Sequence, residues 1–125
     1  MKRIITAAPD AIGPYSHGTA YGDLIFTSGQ LPVCKQQGGV VEGSIEAQSR
    51  QAMENLKHVL GAADGSLDTV LKTTCYLAEN SDFAAFNEVY KRYFLKDFPA
   101  RSCFAVKELP MGVRVEVEAI AHIAR

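Results

Sequence analysis

One arginine in this chain stands where it could bind a carboxylate. Arg101 follows Phe98-Pro99-Ala100 and opens an apolar segment. Because proline fixes φ and lacks an N–H, the backbone that leads into Arg101 is held extended and stiff. A planar guanidinium on such a support can make two parallel, charge-assisted hydrogen bonds to a carboxylate. The alternative is a surface ion pair, and this segment alone leaves both interpretations open.

A glutamate near the end of the chain could supply acid or base chemistry. Glu118 stands between Glu116 and Ile120 on one side of an alternating segment. Partial desolvation by such neighbours would suit its carboxyl to proton transfer. The alternative is a glutamate on a solvated face.

Three further positions carry groups that could line a pocket. Tyr15 ends a stretch rich in proline and glycine, where its phenol can donate or accept, or where its ring only packs. Ser28-Gly29 lies within an expected strand, where a glycine marks either a bulge or the close approach of a ligand or another backbone. Asn87 falls in the middle of an expected helix, where asparagine is a mediocre former but would be harmless if exposed.

The cysteines and histidines do not form a recognisable metal or disulfide pattern. The three cysteines are widely spaced without a C-x-x-C pair, and the three histidines lack metal-ligand spacing. They are Cys34, Cys75, Cys103, His17, His58 and His122. No histidine is predicted beside Cys103, so the sequence contains no evident base for a cysteine nucleophile. We expect no metal site and a reducing compartment.

Hydrophobic periodicity and turn residues predict the elements that must position these groups. An N-cap at Ser44 and apolar residues at intervals of three and four favour the first helix, and Asp64-Gly65 is predicted to end it through a left-handed glycine. Strands are expected over 2–6, 18–21, 24–31, 69–77, 104–106 and 113–123, and helices over 45–63 and 82–95. This order predicts an α+β fold with two helices on one face of a mostly antiparallel sheet.

Alternation also predicts which side of each strand enters the core. In the strand over 69–77 the odd-numbered residues from Leu71 to Leu77 are expected inside. The strictest alternation in the chain runs from Val113 to Ile123, with its odd-numbered residues on the core face. The aromatic stripe of the second helix is interpreted as core. It consists of Phe83, Phe86, Tyr90, Tyr93 and Phe94.

Length and charge exclude several classes of protein. The chain has 125 residues, of which 47% are hydrophobic and 22% charged, which is enough for one core, and we expect a single domain over 1–125. Its net charge of −1 and the absence of a basic stripe count against nucleic-acid binding. No apolar run approaches a spanning helix or a signal peptide, so we expect a cytoplasmic protein without membrane contact.

Several fragments, taken in order along the chain, are similar to one known family. They lie at 12–18, 25–32, 48–56, 72–74, 82–87, 98–103 and 115–121. The most specific are Pro-Ala-Arg-Ser-Cys at 99–103 and Glu-Val-Glu-Ala-Ile-Ala at 116–121. From these the chain is identified as a member of the RidA/YjgF/YER057c family of enamine/imine deaminases.

The resemblance implies a fold, an assembly and a set of site residues. The fold would be chorismate-mutase-like, of the YjgF type, assembled as a homotrimer with sites between neighbouring subunits and no cofactor. Arg101 would bind the substrate carboxylate, and Glu118 would hold the hydrolytic water and assist proton movement. The family's other pocket positions correspond to Tyr15, Ser28, Gly29, Asn87 and Cys103, the last chiefly through its backbone.

The implied reaction is hydrolysis of a reactive imino acid. A 2-aminoacrylate or 2-aminocrotonate enamine would tautomerise to 2-iminopropanoate or 2-iminobutanoate, and water would convert that imine to a 2-keto acid and ammonia. Two alternatives from other classes stay open. One is a non-catalytic, keto-acid-binding or chaperone-like trimer, and the other is a ribonuclease or translation inhibitor, against which the acidic balance counts.

Overall fold

The computed structural model describes residues 1–124, in which two helices pack on one face of a six-stranded sheet. The sheet strands are β1 (Arg3–Ile5), β2 (Gly18–Tyr21), β3 (Leu24–Thr27), β6 (Val70–Leu77), β7 (Ala100–Ala105) and β8 (Val115–His122). A separate short hairpin contains β4 (Val33–Cys34) and β5 (Gly39–Val40). The helices are α1 (Ile45–Ala62) and α2 (Phe83–Tyr90). The predicted α+β class is confirmed.

The sheet order places the last strand at the centre. The strands run β1-β2-β3-β8-β6-β7, and every neighbouring pair is antiparallel except β6 and β7, which are parallel. β8 pairs with β3 through Phe26 and Ile120 and with β6 through Thr74 and Glu118. A parallel pair needs a long crossover, and α2 with the segment after it supplies that connection. Because β7 is last in the strand order and pairs only with β6, it is an edge strand.

The helix α1 supplies most of the layer that covers the sheet. Ser44 caps it as predicted, since the Ser44 hydroxyl accepts a hydrogen bond from the Ala47 N–H at 3.1 Å. Its buried stripe follows the helical period and includes Met53, Leu56, Val59 and Leu60. The side chain of Gln48 extends from α1 to accept a hydrogen bond from the Arg114 N–H at 2.8 Å, which anchors the helix beside β8.

The predicted core face of β6 is wrong at one residue. Leu71 was expected inside with Thr73 and Cys75, but it is 48% exposed while Val70 is 8% exposed. The register shifts between Val70 and Lys72, which indicates a bulge. An extra residue in a strand reverses the alternation on one side of it, so Leu71 points away from the core.

The predicted end of α1 is also corrected. Asp64, rather than Gly65, takes the left-handed conformation, with φ of 65°. An aspartate tolerates this conformation better than most residues. Gly65 is needed for a different reason, because a Cβ at that position would collide with the Ile25 side chain and approach the His122 carbonyl oxygen.

The predicted bounds of α2, β3 and β7 differ from the structure. The α-helical part of α2 ends at Tyr90 and continues as a 3-10 turn over Lys91–Tyr93, so the helix is shorter than 82–95. β3 ends at Thr27, although Gln30 still forms an isolated bridge to Val117. β7 begins at Ala100, which places Arg101 within a strand and not on the corner before it.

The aromatic stripe of α2 lies in the core as predicted. Phe86 is fully buried, and Tyr90 and Phe94 are each 5% exposed. Asp82 lies directly before α2, and its carboxylate accepts two hydrogen bonds from the Arg114 guanidinium, at 2.8 and 3.2 Å, rather than capping the helix. Neither helix among residues 1–124 is long and apolar enough to cross a membrane.

Candidate active site

Arg101 is held against α2 by an aromatic ring and an amide. Its guanidinium carbon lies 4.8 Å from the centroid of the Tyr90 ring, and its Nη1 donates to Asn87 Oδ1 at 2.8 Å. The Tyr90 ring is itself fixed by a 2.8 Å hydrogen bond between its hydroxyl and that of Thr73. A guanidinium has five N–H donors, so the bond to Asn87 leaves donors for a bound carboxylate.

The surface ion pair that was the alternative for Arg101 is not found in the described part of the chain. The ion pairs there join Lys91 with Glu88 and Arg114 with Asp82. The alternative for Asn87 was an exposed residue without a role. Instead its Oδ1 accepts a hydrogen bond from Arg101 and orients that side chain. The resemblance implied that both residues belong to the site, and the structure brings their side chains into contact.

Cys103 follows Arg101 by two residues and lies on the same face of β7. It pairs in register with the fully buried Cys75 of β6, and it is itself half-buried against the core. Asn87, Arg101 and Cys103 therefore form one group on the helix side of the sheet. We call these three residues the arginine cluster.

A second group lies around an open groove of about 310 Å³. Tyr15, Ser28, Gly29 and Glu116 line it, and the remaining lining side chains are apolar. Of the residues predicted for the site, Tyr15, Ser28 and Gly29 are thus brought together. We call these four residues the carboxylate groove.

Backbone contacts fix the Ser28-Gly29 wall of this groove. The Ser28 N–H donates to the His17 carbonyl at 2.8 Å, and the Ser28 hydroxyl donates to the Ser16 carbonyl at 2.6 Å. Gln30 exchanges two backbone hydrogen bonds with Val117, at 2.7 and 3.2 Å. The chain therefore leaves β3 after Thr27 and returns to β8 at Gln30, with Gly29 turned toward the next strand.

Gly29 is required by the glutamate that faces it. A Cβ at position 29 would collide with the carboxylate of Glu116. The sequence predicted either a bulge or the approach of a ligand or another backbone at this glycine, whereas the group that approaches it is a side chain. The Glu116 carboxylate therefore lies against the groove wall at Gly29.

Glu116, and not Glu118, is the carboxylate that the structure places in the groove. Glu116 is half-buried, and its burial, together with the nearby charge of Glu118, raises the pKa of its carboxyl. Glu118 accepts a 3.0 Å hydrogen bond from the Tyr76 hydroxyl. Glu118 was predicted to be catalytic and that role stays a prediction, whereas the carboxyl whose burial raises its pKa is that of Glu116.

Sequence reasoning also missed a polar network behind the groove. The Nε2 atom of His17 lies 2.6 Å from the Pro9 carbonyl oxygen, and its Nδ1 lies 3.3 Å from Nε2 of Gln30. Gln30 also donates to the Ser28 carbonyl at 3.3 Å. With His17 protonated on Nε2 alone, the ring donates to Pro9 and accepts from Gln30. The network therefore orients Ser28, and no spacing motif in the sequence marks it.

The arginine cluster and the carboxylate groove lie on opposite faces of the sheet. Arg101 faces the helices, as does its register partner Thr73, which contacts Tyr90. Glu116 belongs to the other face, because the neighbouring residues Val115 and Val117 of β8 are the ones in the core. The strand β6 also separates β7 from β8. One chain therefore does not bring Arg101 and Glu116 together.

Within residues 1–124, no group of three or more histidine, cysteine, aspartate or glutamate side chains is arranged to hold a metal ion. The chemistry that these two groups can supply is recognition of an anion by Arg101 and proton transfer or water activation by Glu116.

Comparison with protein families gives a match over almost the whole chain. The profile of the family described as Endoribonuclease L-PSP matches residues 5–123.

Proteins with similar sequences have different names. The human 2-iminobutanoate/2-iminopropanoate deaminase is 41% identical over 123 residues, which cover 97% of this chain and 90% of the human one. Protein HMF1 of Saccharomyces cerevisiae is 48% identical over 118 residues, covering 94% and 91% of the two chains. The crystal structure of Escherichia coli TdcF with bound serine superposes with a TM-score of 0.91 at 42% identity, covering 98% of this chain and 99% of the other.

Proposed function

The chain belongs to the Endoribonuclease L-PSP family, which is the RidA/YjgF/YER057c family of the resemblance, and from that premise we propose that it is an enamine/imine deaminase. Its substrates are the imino acids derived from 2-aminoacrylate and 2-aminocrotonate, namely 2-iminopropanoate and 2-iminobutanoate. Water adds to the imine carbon, ammonia leaves and a 2-keto acid remains. The deaminase name of the human relative supports this reaction class.

The observation that carries the proposal is the fixed orientation of Arg101. Stacking on Tyr90 and the 2.8 Å bond to Asn87 immobilise the guanidinium before any ligand binds. Both proposed imino acids carry a carboxylate, for which a preorganised guanidinium is a suitable partner. The serine bound to Escherichia coli TdcF is also an amino-acid carboxylate, which supports the same class of ligand.

Glu116 is the proposed residue for water activation. The raised pKa of its carboxyl brings it closer to neutral pH, where a group exchanges protons most effectively. It lies beside Ser28 and Gly29 in a groove open to solvent, so water can reach it. Positioning by Arg101 and general acid–base catalysis by Glu116 are together sufficient for this hydrolysis, because acid–base catalysis typically raises a reaction rate about 10²–10⁴-fold.

Arg101 and Glu116 are proposed to meet between neighbouring subunits of a homotrimer. Two features support an assembly: the two groups lie on opposite faces of one chain, and the face without helices carries exposed apolar side chains. Three of these apolar side chains lie in one row across the strands from β1 to β8, in which Thr19 is the residue on β2. They are Ile4, Phe26 and Ile120, which are 54%, 41% and 37% exposed. Apolar side chains in one row are typical of a surface that associates.

The test measures keto-acid formation from 2-aminoacrylate that a serine dehydratase generates in the same solution, with semicarbazide to trap the imine. The native protein should lower the yield of trapped imine, and Arg101→Ala should not. The control is Arg92→Ala, which removes the same charge from an exposed turn beyond α2 and should behave as the native protein does. Equal loss of activity in both variants would contradict the role of Arg101.

Two outcomes would replace the proposal. Tight binding of a 2-keto acid without any change in the hydrolysis rate would identify a binding module. Salt-sensitive cleavage of RNA by the native protein, with no effect on imines, would support the activity in the family's description.

A further inference from the structure

Two cysteines face each other beneath the arginine cluster. Cys75 and Cys103 are register partners on the parallel strands β6 and β7, and their side chains are on the same side of the sheet. Adjacent strands lie about 4.8 Å apart, which falls within the Cα separations of about 4.4–6.8 Å that a disulfide spans. The register therefore places the two Cα atoms at a separation that a disulfide can span.

The two thiols differ in exposure and in acidity. Cys75 is fully buried, whereas Cys103 is half-buried at the edge strand. The neighbouring Cys75 thiol, followed by the positive charge of Arg101, lowers the pKa of the Cys103 thiol. The neighbouring Cys103, followed by burial, raises the pKa of the Cys75 thiol. An acidic, reachable thiol next to a second thiol is the pattern of redox-sensing cysteines.

We propose that Cys75 and Cys103 are a peroxide-responsive thiol pair, in which a hydroperoxide oxidises Cys103 and Cys75 then closes an intrachain disulfide. The first step forms a sulfur–oxygen bond as the Cys103 thiolate attacks the peroxide, and the oxygen–oxygen bond breaks. The departing alkoxide or hydroxide takes up a proton. Cys103 is then a sulfenic acid, and the peroxide has been reduced to an alcohol or to water.

The second step consumes the Cys75 thiol. Its sulfur gives up its proton and attacks the Cys103 sulfur, which forms the disulfide and breaks the sulfur–oxygen bond. The hydroxide leaves with that proton as water. Two thiols and one hydroperoxide thus yield one disulfide, one alcohol and one water, and a thiol reductant reverses the change.

The disulfide would also alter the arginine cluster. A disulfide needs its Cβ atoms about 3.8 Å apart, so β7 is drawn toward β6 at Cys103, two residues from Arg101. Arg101 is held by Tyr90 and Asn87 of α2, which do not move with β7, so its alignment over them is lost. This consequence rests on the proposed function: oxidation should reduce imine hydrolysis, and reductant should restore it.

The experiment uses the full chain with Cys34→Ser, which removes the third cysteine from the loop at β4 and leaves the pair intact. The protein is treated with hydrogen peroxide, alkylated and digested for mass spectrometry. The expected product is a cross-linked peptide containing Cys75 and Cys103, with the loss of two hydrogen atoms and reversal by dithiothreitol. In the native chain Cys103 should react faster than Cys34, because the neighbouring Cys75 and Arg101 favour the thiolate of Cys103, which is the reacting form.

A second variant separates the two roles. With Cys75→Ala in the same background, Cys103 should accumulate as a sulfenic acid that dimedone labels, and should proceed to sulfinic acid with more peroxide. With Cys103→Ser, Cys75 should stay reduced. Oxidation of Cys103 at the rate of Cys34, or sulfinic acid without any cross-linked peptide in the folded Cys34→Ser protein, would overturn the proposal.

The mass measurement does not depend on enzymatic activity. A reversible disulfide in a protein without imine hydrolysis would uphold the thiol pair and reject the proposed function. A fully active protein that forms no disulfide would do the opposite.

Discussion

At the scale of single residues, the most informative contact is that between Gly29 and Glu116. The glycine allows the carboxylate to lie against the backbone of the groove wall, and the resulting burial raises the pKa of Glu116. A carboxyl whose pKa is raised in the folded protein favours folding only in its protonated form. Its contribution is present below the unfolded-state pKa and is lost as pH rises through the folded-state value.

We therefore expect Glu116→Gln to stabilise the protein at neutral pH. Glutamine avoids the cost of a half-buried charge beside Glu118, so the variant should have a higher free energy of unfolding than the native chain near pH 7. The difference should disappear below about pH 4, the ordinary range of a glutamate carboxyl. Denaturant titrations at both pH values test this, and imine hydrolysis should fall although stability rises. Equal stabilisation at both pH values would contradict the role of the charge.

Adding a methyl group at Gly29 should disable the groove without unfolding the protein. In Gly29→Ala the new Cβ displaces the end of a flexible Glu116 side chain rather than backbone. We expect a loss of at least about tenfold in hydrolysis, since a misplaced catalytic group costs that much or more. Stopped-flow or coupled assays measure the rate, and circular dichroism checks the fold. Native activity in this variant would contradict the assignment of Glu116.

Some of the site could be read from the sequence, and the rest depended on contacts that no pattern encodes. The local sequence left Arg101 open to a surface ion pair and Asn87 open to an exposed position, and only the resemblance to the family implied that both belong to the site. The sequence analysis chose Glu118, whose role stays a prediction, and strict alternation puts Glu116 on the same face of β8. Only the position of Gly29 distinguishes the two, and that position depends on how the chain leaves β3 after Thr27.

At the scale of elements, one buried ion pair connects the start of α2 to the entry of β8. Asp82, whose side chain is 7% exposed, accepts both hydrogen bonds from the Arg114 guanidinium, which is 41% exposed. The same arginine donates its backbone N–H to Gln48 of α1. Both helices are therefore tied to one residue of the sheet layer.

Removing the carboxylate of this pair should destabilise the fold. We expect Asp82→Ala to lower the free energy of unfolding by about 2 kcal/mol, because Arg114 loses a charged partner in a partly buried place. The control is Glu88→Ala, which breaks the pair with Lys91, where the two side chains are 59% and 56% exposed. That exposed pair should contribute less than about 0.5 kcal/mol. Equal effects in urea denaturation would contradict the distinction.

Replacing a glycine in α1 should instead raise the free energy of unfolding. Gly61 lies in the last turn of the helix, and a Cβ there would meet no atom within 4 Å. Gly61→Ala should therefore stabilise the protein by about 0.4–1 kcal/mol, mainly through the lower entropy of the unfolded chain. Denaturant midpoints measure the change, and the rate of imine hydrolysis should stay that of the native protein. A loss of stability would mean that the helix end is tighter than the structure indicates.

Periodicity predicted the elements better than it predicted their irregularities. The alternating faces of β8 and the buried stripe of α1 were right because both elements are regular over their whole length. Leu71 was placed on the wrong face because a bulge shifts the register by one residue, and a bulge leaves no residue-type signature here. Asp64 replaced Gly65 in the left-handed position because Gly65 serves the packing against Ile25.

At the scale of the whole molecule, the separation of Arg101 from Glu116 predicts that two inactive variants regain activity when their subunits are mixed. Arg101→Ala and Glu116→Gln subunits, each inactive alone, should regain activity when unfolded together and refolded as mixed trimers. A site shared between neighbours takes Arg101 from one subunit and Glu116 from the next. In cyclic trimers assembled at random from equal amounts of the two variants, about a quarter of the sites receive both residues, so about a quarter of the native activity should return. Coupled keto-acid assays measure the recovery. No recovery in mixtures that light scattering shows to be trimeric would contradict a shared site.

The open face of the sheet should determine whether those trimers form. Phe26→Asp places a charge in the exposed apolar row with Ile4 and Ile120, on the face opposite the helices. We expect the native protein to have the mass of three 13.6 kDa chains and the variant to have the mass of one. Light scattering gives the mass, and circular dichroism should show a native fold. A native protein with the mass of one chain would reject the proposed interface.

The central position of β8 has a consequence for synthesis on the ribosome. The strands β1 to β3 and the pair β6–β7 lie on either side of it, so the sheet consists of two separate pieces until β8 has left the exit tunnel. During that interval β3 and β6 each present an unpaired edge to the crowded cell. The growing chain therefore exposes these two edges to mispairing until β8 fills the gap between them.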